Sequence, residues 1–129
     1  MERLNVMVVE DSSIAGHVLS TMLTTLGHKV VRTARTGAEA VAGYSACIPD
    51  VVIMDITMPD MDGILASEKI LSSYPDARIV VASAHAERSV VVKARSVGVK
   101  GYILKPIQPE KLRSTLENVM SPELQFLNS

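Results

Sequence analysis

Three carboxylates in this chain stand where apolar runs stop. Glu10 and Asp11 follow Val6-Met7-Val8-Val9, and Asp55 follows Val51-Val52-Ile53-Met54. Two further polar groups end later runs. Ser83 follows Ile79-Val80-Val81-Ala82, and Lys105, with Pro106 behind it, follows Tyr102-Ile103-Leu104. Converging acids repel: two unit charges about 4 Å apart interact by about 4 kcal/mol at an effective dielectric of about 20. Protonation or a cation relieves that repulsion. An all-oxygen cluster suits Mg²⁺, which keeps several waters and takes one or two protein carboxylates. A hydroxyl and an ammonium beside such a cluster make a phosphoryl-binding set, one donating a hydrogen bond and the other meeting the oxygen charge. Taken singly, each residue has a plainer reading as a helix cap or solvated loop residue, Ser83 and Lys105 more so than Asp11. Their coincidence at four run ends carries the chemical reading.

Those residues converge only if the runs are neighbouring strands. Most of the runs are continuous rather than alternating, as in strands buried on both faces, and Val30-Val31 supplies a fifth. Helical spacing fills the gaps. Ile14, Val18, Met22 and Leu26 recur every fourth residue with Leu19 and Leu23 beside them, and Gly27 is a stop signal. Thr36 and Glu39 form a capping box for a second helix. A third runs from Ile64 to Leu71 after the turn-rich Met58-Pro59-Asp60-Met61-Asp62-Gly63. A fourth runs from Glu87 to Val97 and ends at Gly98, and a fifth opens at Pro109. Five strand–helix repeats imply an α/β fold: a flavodoxin-like, doubly wound, five-stranded parallel sheet with five helices. In the order 2-1-3-4-5, strands one and three straddle the point where strand order reverses, and ligands bind beyond the carboxyl ends there.

The composition narrows the function. The chain has 129 residues, of which 47% are hydrophobic and 21% charged, enough for one domain with a real core. A formal charge of −1 leaves no basic excess for nucleic acid or an anionic membrane. The single cysteine, Cys47, excludes an intrachain disulfide and a cysteine-based zinc cluster. No signal peptide or transmembrane run is visible, so the expected location is cytoplasmic. Residues 1–120 are expected to form the domain, with 121–129 a loose tail or the start of a connection.

In order and spacing, Glu10-Asp11, the segment Val52 to Gly63 around Asp55, Ser83-Ala84 and Gly101-Tyr102-Ile103-Leu104-Lys105-Pro106 together resemble the response-regulator receiver domain of two-component signalling, of the chemotaxis-regulator type. The resemblance covers roughly residues 4 to 120. It implies that Asp55 is the phosphoacceptor and that Glu10, Asp11, Asp55 and the backbone carbonyl of Thr57 hold Mg²⁺. It further implies that Ser83 and the Ala84 backbone N–H bind phosphoryl oxygens, that Lys105 pairs with the phosphate, and that the Lys105–Pro106 bond is cis. Ser83 and Tyr102 would form a switch that alters the surface of helix four, strand five and helix five. The partners implied are a histidine kinase or phosphotransfer protein, a downstream protein target and a phosphorylation-dependent homodimer. The chain would catalyse only its own phosphorylation and dephosphorylation.

Ser83 stands where the family more often has threonine. Thr57 and His85 occupy positions that tune phosphoryl lifetime in the family. Asp60 and Asp62 read as turn residues around Pro59 and Gly63. His17 and His28, lacking visible partners, read as surface or boundary residues. Val92 points away from Ala94 at helical spacing and is expected on an output or dimer face of a helix weakened by three consecutive valines. Two other readings stay open here. A haloacid-dehalogenase-like phosphatase also uses a nucleophilic Asp and Mg²⁺, but Thr57 stands where its second Asp belongs. A receiver-like docking module that is never phosphorylated would not need the full set of five residues. A nucleotide-binding Rossmann domain is disfavoured because no glycine-rich fingerprint follows the first strand.

Overall fold

The computed structural model describes residues 2–85 and 87–121. Strands and helices alternate: β1 (Asn5–Val9), α1 (Ser13–Thr25), β2 (Lys29–Ala34), α2 (Gly37–Cys47), β3 (Val51–Asp55), α3 (Gly63–Ser73), β4 (Ile79–Ser83), α4 (Arg88–Ser96), β5 (Gly101–Leu104) and α5 (Pro109–Met120). The five strands form one sheet in the order β2-β1-β3-β4-β5. Every pairing is parallel. This is the flavodoxin-like α/β architecture expected from the runs. The tail assignment concerns residues 121–129, of which 122–129 lie outside the described residues.

Continuous apolar runs are what a sheet covered on both sides requires. Met7, Val9, Val52, Met54, Ile79 and Val81 face one layer, against Ala40 and Tyr44 of α2, Ile64, Ala66 and Ile70 of α3, and Ala94 of α4. Val6, Val8, Val51, Ile53, Val80 and Ile103 face the other, against Leu19 and Leu23 of α1 and Leu112, Leu116 and Val119 of α5. β1 after Asn5, and all of β3 and β4, are buried at every residue. The edge strand β2 extends well beyond Val30-Val31, because Lys29, Arg32 and Thr33 can face water there. Its polar residues broke the apolar pattern without ending the strand.

Local chemistry closes the helices as expected. Thr36 accepts from the Glu39 N–H at the start of α2, as the capping box predicts. Asp62, read from the sequence as a turn residue, is instead the N-cap of α3 and accepts from the Leu65 N–H. Gly27 and Gly98 lie at φ of 96° and 105°, where a side chain would be strained. The α1 stripe divides differently from its spacing. Leu19 and Leu23 are buried, whereas Ile14 and Val18 are 78% and 54% exposed. On α4, Ala94 is buried and Val92 is 56% exposed, as the helical angle requires.

His28 needs correction. It is not a surface or boundary residue without a partner: it is buried, and its Nδ1 accepts the Leu4 N–H at 3.1 Å. The partner lies on the chain before β1, beyond the reach of local sequence inspection. Burial holds its pKa below the ordinary 6.5. The unfolded chain takes up a proton near 6.5 that the fold resists. Its contribution to stability is therefore complete above that pH and declines as pH falls through the window below it. Urea midpoints measured across that window should decline in the parent and decline less in His28→Asn, which keeps an acceptor but does not titrate.

Candidate functional site

The strand registers bring the polar run ends to one rim. Val9 pairs with Met54, so Glu10 and Asp55 extend from adjacent strands at the same level. Asp55 pairs with Ala82 and Ser83 with Leu104. Ser83 therefore stands one residue further out on β4, and Lys105 follows one residue beyond that on the β5 side. Each polar group sits at or just past the end of its strand, where Glu10 and Asp55 are still buried and Lys105 keeps partial access to solvent.

At that rim, carboxylate oxygens of Glu10, Asp11 and Asp55 lie within 4.8 Å of one another. Glu10 and Asp55 are buried, and Asp11 is the most open of the three. The Lys105 ammonium donates to Glu10 Oε1 at 2.8 Å and to Asp55 Oδ1 at 3.0 Å. The Lys105–Pro106 peptide is cis, as the resemblance implied. The Ser12 N–H donates to Glu10 Oε2 at 3.3 Å. A long contact from the Thr57 N–H to Asp55, 3.4 Å, also falls on Oδ1. Among the described residues Asp55 Oδ2 carries neither of these bonds.

The loop after Asp55 is held at its neck. The Gly63 N–H donates to the Ile56 carbonyl at 2.8 Å, and a Cβ built on Gly63 would stand 2.1 Å from the Asp55 carbonyl oxygen. Only glycine lets α3 begin against the strand that carries Asp55. The remaining predicted residues lie around this centre. Ser83 is buried, and its hydroxyl accepts the His85 N–H at 3.1 Å. Ala84 is exposed on the loop that follows, and Thr57 is exposed two residues past Asp55. Tyr102 is on β5, where its hydroxyl donates to the His85 carbonyl at 2.9 Å. Ser83 and Tyr102 thus grip the same residue of the β4–α4 loop from two strands.

Sequence reading missed two contacts in this region. Asp60 is more than a turn residue, for its carboxylate accepts the Gly37 and Ala38 N–H groups at 2.8 and 2.9 Å. The Arg35 guanidinium donates twice to the Asp11 carbonyl, at 3.2 Å from Nε and 2.9 Å from Nη2. Both partners lie more than twenty residues away in the chain, so no local signal announces them.

Burial acts against the Lys105 charge, but hydrogen bonds to Glu10 and Asp55 and the attraction of both carboxylates outweigh it, so its pKa is raised above 10.5. The stabilisation it supplies is complete below the unfolded value of 10.5 and is lost as pH rises through the higher folded value. Lys105→Met should therefore lower stability at neutral pH by about 2 kcal/mol and flatten the alkaline limb. The neutral-pH loss is less than for a fully buried pair because the lysine side chain stays 30% exposed. Gly63→Ala should lower it by about 3 kcal/mol through the collision with the Asp55 backbone. Chemical denaturation across pH, in chelator, measures both.

The comparisons agree with this geometry. The family model described as the response regulator receiver domain matches residues 6–117. The chemotaxis protein CheY of Thermotoga maritima is 39% identical over 114 residues, covering 88% of this chain and 95% of that protein. CheY of Treponema pallidum is 41% identical, covering 89% of this chain and 81% of that one. The CheX–CheY–BeF3–Mg complex from Borrelia burgdorferi contains a chain that superposes with a TM-score of 0.88 at 33% identity, over 91% of this chain and 89% of that one. Among the described residues no helix is long and apolar enough to cross a membrane. The strand order, the acidic rim and the family match lead to one assignment: this chain belongs to the response-regulator receiver family of two-component signal transduction, in its CheY-like form, and receivers of this family are signalling switches rather than classical enzymes.

Proposed function

We infer that Asp55 accepts a phosphoryl group from a histidine kinase or phosphotransfer protein and that the resulting charge resets a partner-binding surface. The observation that carries this is the Lys105 ammonium seated between Glu10 and Asp55, with Asp11 beside them. Three clustered carboxylates and one cation leave net negative charge at the rim, which a divalent ion would neutralise. The donor set is all oxygen, as Mg²⁺ requires: the carboxylates of Glu10, Asp11 and Asp55 and the Thr57 backbone carbonyl. When bound, Mg²⁺ supplies neutralisation of an anionic donor approaching an anionic nucleophile.

The chain's own groups do the rest. Phosphoryl transfer needs little beyond positioning and charge stabilisation. An Asp55 carboxylate oxygen attacks phosphorus, and the phosphorus–nitrogen bond of a phosphohistidine breaks with its electron pair going to the imidazole. Lys105 fixes the orientation of Asp55 through Oδ1 and then faces the transferred oxygens. Ser83 gives up the His85 N–H to donate to one phosphoryl oxygen, and the Ala84 N–H serves another. Because Ser83 and Tyr102 share His85, movement of one releases the other.

That movement is read on α4, β5 and α5. A cavity of about 530 Å³ lies between them, lined by Val91, Ala94, Val99, Tyr102, Thr115 and Val119 among others. Val92 of α4 and Leu104 of β5 are exposed apolar side chains. This face suits a downstream protein or a phosphorylation-dependent homodimer. Incubation with MgCl₂ and a small phosphodonor should add one phosphoryl group by intact-mass analysis. Asp55→Asn and the parent in chelator should remain unlabelled. Equal labelling of parent and Asp55→Asn would overturn the assignment.

A further inference from the structure

The β2–α2 turn (35–36) with the first two residues of α2, Gly37 and Ala38, contributes no group to the acidic rim, yet it touches both loops that do. On one side Arg35 holds the Asp11 carbonyl with two hydrogen bonds. On the other, the Gly37 and Ala38 N–H groups hold the two oxygens of Asp60, one each. Met61 closes over the same place: a Cβ built on Gly37 would meet Met61 Cγ at 2.2 Å and Sδ at 2.7 Å. Two chain segments that carry ligand atoms on separate strands are thus tied to one short turn. The turn is itself anchored, since Thr36 caps α2 and Ala34 accepts the Glu10 N–H at 2.9 Å.

We propose that Arg35 and Asp60 are positioning residues that use the β2–α2 turn as a clamp, fixing the distance between the Asp11 loop and the Thr57-bearing loop and thereby setting affinity for a divalent cation. The proposal rests on the reading of the rim as a Mg²⁺ site. The physical case is preorganisation. Thr57 lies three residues before Asp60, on a loop pinned at its neck by Gly63 and at its far side by Asp60. Freed from α2, that far side moves as a flexible segment, and its carbonyl must be ordered by the ion itself. Outer contacts that hold ligand groups in place are commonly worth about ten-fold or more in metal affinity. The helix supports the same bond from its side. The first N–H groups of α2 lack intrahelical acceptors, and a carboxylate there meets the positive end of the helix. The Gly37 and Ala38 bonds hold the Asp60 carboxyl below its ordinary 3.8.

Charge and geometry predict opposite signs at Arg35, which makes the test decisive. Removing a cation near the rim tightens binding of a cation by electrostatics alone, whereas releasing the Asp11 loop weakens it. Calorimetric titration of MgCl₂ into the parent chain first tests the reading underneath: no binding by the parent removes the site itself and the clamp with it. Given parent binding, Arg35→Ala and Asp60→Ala should each weaken Mg²⁺ about ten-fold. Asp60→Asn, which keeps one acceptor, should fall between Asp60→Ala and the parent. Asp50→Ala is the control. It removes an acid that accepts the Asn5 N–H at 2.7 Å, at the start of β3 and far from the rim, and its Mg²⁺ affinity should stay within two-fold of the parent. A second readout needs no metal: amide hydrogen exchange at Gly37 and Ala38 should accelerate in Asp60→Ala while the central strands stay protected. Tighter Mg²⁺ binding by Arg35→Ala, or unchanged affinity in both alanine variants, would overturn the clamp.

Discussion

One lysine compensates two buried acids, and much of the molecule exists to let it do so. Lys105 reaches Glu10 and Asp55 from the end of an edge strand. Without it, two carboxylates would share a low-dielectric rim, and that repulsion would be charged against a fold whose total stability is only about 5–15 kcal/mol. The parallel registers of β1, β3, β4 and β5 are what align the four strand ends. A shift of one residue in any of them would turn a core residue to the wrong layer and carry an acid away from its cation.

Lys105 is shared between two acids rather than locked on one. A phosphoryl group on Asp55 would compete with Glu10 for the same ammonium. The neighbouring contacts are similarly shared, with Ser83 and Tyr102 both bonded to His85. Hydrogen bonds of this kind contribute about 1 kcal/mol each, so a new doubly charged group can rearrange them while the core beneath stays intact. The apolar layers supply the rigidity, and the polar rim supplies the alternatives.

Much of this was legible in the residues. β1, β3 and β4 announced themselves because strands buried on both faces must be apolar at every position. The helix limits at Gly27 and Gly98, and the cap at Thr36, follow from backbone chemistry that a short window contains. The acids, Ser83 and Lys105 stood out because polar groups ending apolar runs are unusual. What stayed hidden shares one property: the partner is remote in the chain. His28 meets Leu4, Arg35 meets Asp11, and Asp60 meets α2, and none of these pairs has a periodic signature. The edge strand β2 was shortened for a related reason, since solvent on its outer side permits Arg32 and Thr33. The α1 stripe, Ile14 and Val18 included, shows that spacing names a face without saying how far the core extends along it.

The strand order has a temporal consequence. β1 is an interior strand, yet its partner β3 begins some 45 residues later, and Lys105 stands 95 residues from Glu10. A chain emerging amino-terminus first would pair β1 with β2 and then with β3, gathering its acids before their cation exists. Non-local pairings of this type are also slow to form. The last strand to be synthesised is the one that neutralises the first. A nascent chain stopped short of β5 therefore holds the rim's carboxylates without their counterweight, and the rim is complete only when the sheet is.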